Sequence, residues 1–513
     1  MESLIGRRKT GRPPRRSWLG AGLALAIAGA LLTATPAASA HGGHHDHCEA
    51  PDAPTGPMLG ELGSHDPALV AGECEGDPWY VLATGWGPYN DGAVPIRQSL
   101  DEGHSWRTVG SVFDEKPAWI EEAVPGVDNL WAPAVHFDRG SETYYVYYSA
   151  STFGSQRSLI GLATNTTLDP ADPDYAWVDR GKVFESFEGD PYNAIDPEII
   201  VAGHGRHAEH YMVFGSWWTG IYTIELDWPS GKPAAGAEPV HLASQGGDGI
   251  EGPAMTKHGR YYYLFVSLGI CCAGADSTYA IAVGRSTSPT GPFLDRDGVD
   301  MREGGGTVVL AEHGTYVATG GQSLDDGLIA YHSYDQAGGF ALGIERVEWK
   351  RGWPVLSGPT GGGEPSPAID PAAWYEITSA HSGLVLGIEG ASTDGGAHLV
   401  QQEPTGEAHQ QWRFLYSDNG FYRLQNRHSG RVLDIWEWNT QPGAVIAQWD
   451  DLNGINQQWQ VAQTDGGAIT LLNRFSALSL TVWEGATEPG ARISQDLPSG
   501  GAEQQWTLTA VAE

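Results

Sequence analysis

The sequence predicts an all-β protein of at least two domains, on three observations. From Gly63 to about Trp353, short aromatic or β-branched runs recur without helical periodicity. Trp79–Thr84, Thr143–Ser149, Tyr211–Phe214, Tyr261–Ser267, Tyr279–Val283 and Leu328–Ser333 are examples, each near Gly, Asp or Pro. The chain has 513 residues, too many for one ordinary core, with 70 Gly to make turns. Finally, Gln410-Gln411-Trp412, Gln457-Gln458-Trp459 and Gln504-Gln505-Trp506 recur every 47 residues, so the C-terminal part repeats one unit three times. Many short strands without intervening helices leave propeller, barrel and sandwich open for the first part.

The N-terminus reads as an export signal. Arg7, Arg8, Lys9, Arg12, Arg15 and Arg16 precede an apolar run from Leu19 to Leu32, and Ala38-Ser39-Ala40 has the A-x-A form of a cleavage site. Arg15-Arg16 resembles a twin-arginine signal. Residues 1–40 are therefore read as the signal and 41–62 as an N-terminal segment of a secreted chain. No later segment is apolar for long enough to cross a bilayer.

Charge narrows the partners. The formal net charge is −34, and removing residues 1–40 leaves 23 basic against 62 acidic residues, or −39. Such a chain repels nucleic acid and anionic membrane. Sparse charge with 20 Trp and 20 Tyr suits a surface that meets sugars. The expected partner is a neutral polysaccharide, met by a monomer. Four cysteines lie beyond the signal. An oxidising compartment favours a Cys48–Cys74 tether, while Cys271 and Cys272 either form a vicinal disulfide or stay reduced. His41, His44, His45 and His47 read as a loose terminus rather than a metal site.

Three acids stand at the mouths of strand-like runs: Asp66 in HDPALV, Asp196 in NAIDPE and Glu251 in IEGP. Pro follows each directly or one residue later and restricts the backbone there. Acids converging on one cavity cannot all keep ordinary pKa values, and a proton-holding acid beside an ionised one is the pair that glycoside cleavage needs.

The runs HDPALV, WAPAVHF, YYSASTFGS, YNAIDPEII, FGSWWTG, IEGPAM and CCAGADSTYAIAVGRS, with Gly304-Gly305-Gly306-Thr307, resemble glycoside hydrolase family 43, and within it the endo-1,5-α-L-arabinanases. The resemblance spans about Gly63 to Trp353 and implies a five-bladed β-propeller, at 63–356, that hydrolyses with inversion. It implies Asp66 as general base, Glu251 as general acid and Asp196 as the residue that tunes the acid, with Trp131 and Phe153 beside the sugar. An inverting pair should lie roughly 6.5–9.5 Å apart to admit a water. The chain departs from the family at Trp131-Ala132-Pro133-Ala134, which lacks the acid of the usual motif. It departs again at Gly320-Gly321-Gln322, where some relatives carry a metal-holding His. No cofactor is expected for the chemistry. A water-mediated calcium or sodium ion near Gln322, in a supporting role, is left open.

Residues 357–370 read as a Gly/Pro linker and 371–513 as a second domain. The Q-x-W units resemble the ricin-B-type β-trefoil, akin to family 13 carbohydrate-binding modules. In such domains Gln and Trp build the core, and sugar binding takes an acid, an aromatic and an amide elsewhere in the repeat. The middle repeat has Asp434, Trp449 and Asn456; the equivalents are Gly387, Gln402 and His409 before it, and Thr481, Asp496 and Glu503 after it. One competent site is expected. The leading reading is an arabinan-cutting hydrolase. Its rivals are an exo-acting arabinofuranosidase or exo-arabinanase, a β-xylosidase of the same family, and an inactive sugar-binding protein.

Overall fold

The structure is a computed structural model that describes residues 52–85, 93–313, 316–335, 339–358, 369–417, 420–464 and 466–511. The export signal, the histidine run and Cys48 of the expected tether lie outside the described residues, as does most of the Gly/Pro stretch. No helix among the described residues is long and apolar enough to cross a membrane.

Five sheets, antiparallel except for one short edge strand in the first, form the blades of a propeller. Their innermost strands are Ala68–Val70, Leu130–Asp138, Glu198–Ala202, Ile250–His258 and Tyr316–Asp325. Each pairs with a second strand: Trp79–Leu82, Thr143–Ala150, Glu209–Phe214, Tyr261–Leu268 and Leu328–Asp335. The blades are unequal. The first has five strands and the last three, which is why the sequence showed no blade-length repeat. Middle strands lie between two blades and have no solvent face: Ser158–Asn165 is buried throughout, so it lacks polar alternation.

Apolar faces of neighbouring blades pack together. Leu82 and Ile96 of the first blade meet Val146, Tyr148 and Leu159 of the second. Trp79, Val81 and Trp106 of the first meet Leu328, Ala330 and Leu342 of the fifth. The ring closes through the segment ahead of the first inner strand. Leu59 and Gly60 pair in parallel with Ser105 and Trp106 of blade one, and Leu62 O accepts from Leu342 N of blade five at 2.8 Å.

The described residues of the C-terminal domain form twelve strands in three repeats, closed by Tyr375–Ser379 pairing with Trp506–Ala510. Trp412, Trp459 and Trp506 are fully buried in one core, where the Trp412 and Trp506 indoles donate to Leu386 O and Leu480 O. Gln410, Gln457 and Gln504 are nearly as buried, so each Q-x-W unit is structural.

Candidate active site

Each inner strand of the propeller carries, within it or just before it, one residue with left-handed backbone: Asp66 (φ 49°), Ala132 (40°), Asp196 (55°), Gly252 (54°) and Gly321 (60°). Proline follows four of them, and Gln322 takes its place in the fifth. Proline usually leaves the residue before it on extended backbone. Asp66 and Asp196 instead adopt a left-handed turn, and Glu251 precedes one at Gly252; where such a turn lies inside a strand it leaves an extra residue unpaired in the ladder. Register shifts mark the same point at Trp131/Ala134, Glu251/Ala254 and Gly320/Ser323.

The five exposed N–H groups are satisfied around the ring by side chains of the preceding blade. Asp66 N donates to His332 Nδ1 (3.1 Å), Ala132 N to Thr84 Oγ1 (2.9 Å) and Asp196 N to Ser149 Oγ (2.9 Å). Gly321 N donates to Ser267 Oγ (2.9 Å). The fourth station breaks the pattern: Gly252 N donates to Asp196 Oδ2 (3.0 Å), and the serine of blade three, Ser216, bonds Glu251 instead. Asp66, Asp196, Gly252, Gly321 and Gln322 thus line one central cavity, with Glu251 immediately before Gly252.

Proton affinities diverge within this cavity. Burial alone would raise Asp66, but the electrostatic pull and hydrogen bond of His65, then His332 and Thr84, outweigh it and hold the carboxyl at about 2. His65 Nδ1 lies 2.7 Å from Asp66 Oδ2, and Thr84 Oγ1 donates to the same oxygen at 2.7 Å. Asp196 goes the other way: burial, then repulsion from Glu251 and Asp66, push it well above the carboxylate range. Burial also raises Glu251, which is 8% exposed, although hydroxyls of Tyr279 and Ser216 donate to its two oxygens (Ser216 at 2.7 Å) and oppose the rise. Asp196 and Glu251 are therefore a coupled pair that retains a proton when Asp66 has none.

Phe153 is 85% exposed and is not part of any core; Trp131 is half-buried at its blade's entrance, paired with Ser149. Phe153 follows the second strand of its blade, which places it on the face where the entrances open. Cys271 and Cys272 are joined as a vicinal disulfide, on the turn after the second strand of blade four and hence on that same face.

Metal-type ligands meet at His65, Asp66 and His332, whose ligand atoms lie within 4.8 Å of one another. Three of their four ring nitrogens are bonded elsewhere, and His332 Nε2 is buried with no hydrogen-bond partner among the described residues. His65 bonds Asp66 and Tyr334, and His332 Nδ1 accepts from Asp66 N, which leaves the proton on Nε2. Gln322 fits a hard cation better. Its Oε1 accepts from Ser267 Oγ at 3.0 Å and has a second lone pair, while its Nε2 donates to Gly252 O at 2.5 Å. Glu198 shares this cavity, and burial, with a smaller push from Asp325, raises it to about 8.

Sequence reasoning singled out the three acids and did not anticipate the groups bonded to them or to His65: Thr84, Ser216, Tyr279, His332 and Tyr334. Tyr279 lies in the STYAIAVGR run and His65 beside Asp66, so adjacency to the motifs was the available signal. Tyr334 and His65 are 269 positions apart, and nothing local links them.

In the second domain, Asp434 Oδ2 accepts from Asn456 Nδ2 (3.1 Å) and Gln457 Nε2 (2.9 Å). Burial raises this carboxyl to about 6 against both bonds. Trp449 is 37% exposed beside Trp436, and Trp438, not anticipated, is 45% exposed on the turn after Asp434's strand. In the first repeat a Cβ on Gly387 would stand 2.3 Å from Gln402 Oε1. That amide oxygen fills the space of the missing carboxylate and lies 3.1 Å from His409 Nε2 and 3.0 Å from Gln410 Nε2. In the third, Asp496 caps Leu497 N and Glu503 accepts from Ser499. Among the described residues, only the middle repeat combines carboxylate, indole and amide.

The family model for glycosyl hydrolases family 43 matches residues 63–354, and that for the ricin-type beta-trefoil lectin domain-like family matches 368–449 and 455–513. An extracellular exo-α-(1→5)-L-arabinofuranosidase of Cellvibrio japonicus is 39% identical over 312 residues, covering 57% of this chain and 86% of that protein. An extracellular endo-α-(1→5)-L-arabinanase of Bacillus subtilis is 37% identical over 294 residues, covering 56% and 86%. Among solved structures, a family 43 endo-arabinanase from Bacillus licheniformis is 35% identical at a TM-score of 0.53, covering 58% of this chain and 99% of that one. An exo-1,5-α-L-arabinanase from a bovine ruminal metagenomic library is 37% identical at 0.52, covering 60% and 100%.

Proposed function

The chain belongs to glycosyl hydrolase family 43, and from that premise we propose that it is a secreted, inverting hydrolase that cuts α-1,5-L-arabinofuranosidic bonds within arabinan. The observation that carries this reading is the opposed proton affinity of Asp66 and the Asp196–Glu251 pair around one cavity.

In this reading Asp66, ionised and steadied by His65 and Thr84, takes a proton from water through Oδ1. The water oxygen bonds to the anomeric carbon as the bond to the glycosidic oxygen breaks. Glu251 gives its proton to that leaving oxygen. Asp196 shares one proton with Glu251 and grips Gly252 N; with that proton on Glu251, Asp196 is the anion beside it, and the grip holds the acid in place. The product has the opposite anomeric configuration. Asp66 ends protonated and Glu251 ionised, and solvent restores both. Trp131 and Phe153 offer rings to sugar C–H faces. The reaction needs no cofactor. A calcium or sodium ion held by Gln322 Oε1 and water would balance charge in the cavity, and no step depends on it.

The trefoil would hold the polysaccharide through Asp434, Asn456 and Trp449, with Gln457 fixing the carboxylate. Tethering raises the effective concentration of chain ends and internal bonds at the propeller. An exo-acting enzyme is the second reading, favoured by the identity to the Cellvibrio exo-enzyme.

Products of debranched linear arabinan, followed by proton NMR from the first turnover, test the proposal. The β-anomer should appear first, with oligosaccharides of several lengths. Initial release of the α-anomer would exclude inversion, and monomer alone from the first minutes would establish exo cleavage.

A further inference from the structure

Neither the Cys271–Cys272 disulfide nor Tyr334 touches the reacting atoms, yet both lead to the carboxylate assigned to water. The disulfide closes a small ring across one peptide bond and holds Cys272 at φ 65°, a conformation that a free non-glycine residue leaves readily. In that conformation Cys272 N donates to Tyr334 Oη at 3.0 Å. The phenol, having accepted one hydrogen, turns its own toward His65 Nε2, 2.6 Å away. His65 then carries its proton on Nδ1, which faces Asp66 Oδ2 at 2.7 Å. Cys272 Sγ lies 3.9 Å from the same His65 Nε2 and covers it.

The rings that hold this chain leave it little freedom. His65 stacks on His332 at 3.8 Å between centroids, and Phe340 meets it edge-on at 5.3 Å. Tyr334 packs with Tyr279 and Ala318 in one small cluster, against which Cys271 lies. Tyr279 is the phenol that donates to Glu251. One cluster thus sends one hydroxyl toward each working carboxylate, and the disulfide sits on it. The titratable groups facing Asp66 are His65 and His332 beside it, with Asp196, Glu251 and Tyr279 across the cavity.

We propose that the Cys271–Cys272 disulfide and Tyr334 are positioning residues for hydrolysis: the bonded pair fixes Cys272 N–H on Tyr334, which holds His65 in the tautomer and orientation that leave Asp66 Oδ1 free for water. The inference rests on the reading of Asp66 as general base. A disulfide that only braced the rim would move stability or substrate binding. One that positions the base moves the chemical step.

The test uses the full secreted chain with and without a water-soluble phosphine. The phosphine is oxidised to its oxide by taking the oxygen of water, and delivers two electrons and two protons to the sulfurs; thiol titration reports the opening. On linear arabinan, reduction should lower kcat about tenfold with KM nearly unchanged, the expected effect of loosening one hydrogen bond to a charged group. The Cys271→Ser/Cys272→Ser variant should show the same loss without reductant. The phosphine should then slow neither it nor Tyr334→Phe, whose ring and disulfide remain; near-UV circular dichroism reports their folding. Unchanged kcat in the reduced wild type, a loss confined to KM, or equal sensitivity of Tyr334→Phe to phosphine would each overturn the proposal. Asp66→Asn separates the two readings. If it still hydrolyses arabinan, the base assignment fails; if it is inactive while reduction changes nothing, the disulfide's role alone fails.

Discussion

Gly252 N donates to Asp196 Oδ2 at 3.0 Å, so one acid of the cavity is bonded to the backbone that carries the next. At three other stations a hydroxyl takes this N–H, and at one an imidazole does. A carboxylate in that position ties the charge of Asp196 to the placement of Glu251, and neither can shift without the other.

Glu251→Gln removes the proton donor but retains the shape of the side chain and one acceptor oxygen, while its NH2 turns the other of the two hydroxyls, Ser216 or Tyr279, into an acceptor. We expect kcat on arabinan to fall about a thousandfold, in the range assigned to a general acid. Polysaccharide retention in affinity electrophoresis should match the wild type. Substantial residual hydrolysis would place the donor elsewhere.

The pH profile should be asymmetric. Asp66 is held at about 2, so it stays ionised through mild acid and activity should not decline as pH falls toward 4. Asp196 and Glu251 are both raised, so activity should decline on the alkaline side as their shared proton leaves. Asp196→Asn removes the second carboxyl of the pair, so Glu251 loses its proton without another anion forming beside it, and that limb should move to lower pH. A limb that stays put, read from kcat/KM against pH, would separate Asp196 from the acid's ionisation.

Glu198 has a folded pKa of about 8, above its unfolded value, because it is buried. The folded chain therefore binds more protons between the two values, and this group lowers stability as pH rises through that window. Glu198→Gln should raise Tm by about 3 °C or more at pH 8 and leave it nearly unchanged at pH 4. Equal shifts at both would point to packing rather than charge.

Asp434 titrates near 6, and a sugar hydroxyl needs its ionised form as acceptor. Binding of arabinan by the Glu251→Gln chain should weaken as pH falls through about 6. Asp434→Ala should weaken it at pH 7 by about tenfold, the loss of a charged hydrogen bond. Isothermal titration at the two pH values, with and without the substitution, checks both.

Much of this was legible before any coordinates. The 47-residue period was visible because Trp412, Trp459 and Trp506 perform one packing task three times. Asp434 stood out because Gly387 and Thr481 hold its place in the other repeats. The propeller acids stood out through the prolines beside them. The left-handed backbone of Asp66 and Asp196 did not, because proline favours extended neighbours. The phenols and imidazoles were hidden by distance. His65 meets Tyr334 only after the first and last blades come together, and no spacing in the chain records that meeting.

That meeting has a consequence for heat inactivation. The segment that joins blade five to blade one, through Leu62 and Leu342, runs on to Asp66 four positions later. The latch of the ring and the mount of the water-activating oxygen are one piece of backbone. Fraying there would disarm the enzyme while every blade still held its strands, so on slow heating catalysis should fade several degrees before the circular dichroism of the sheets.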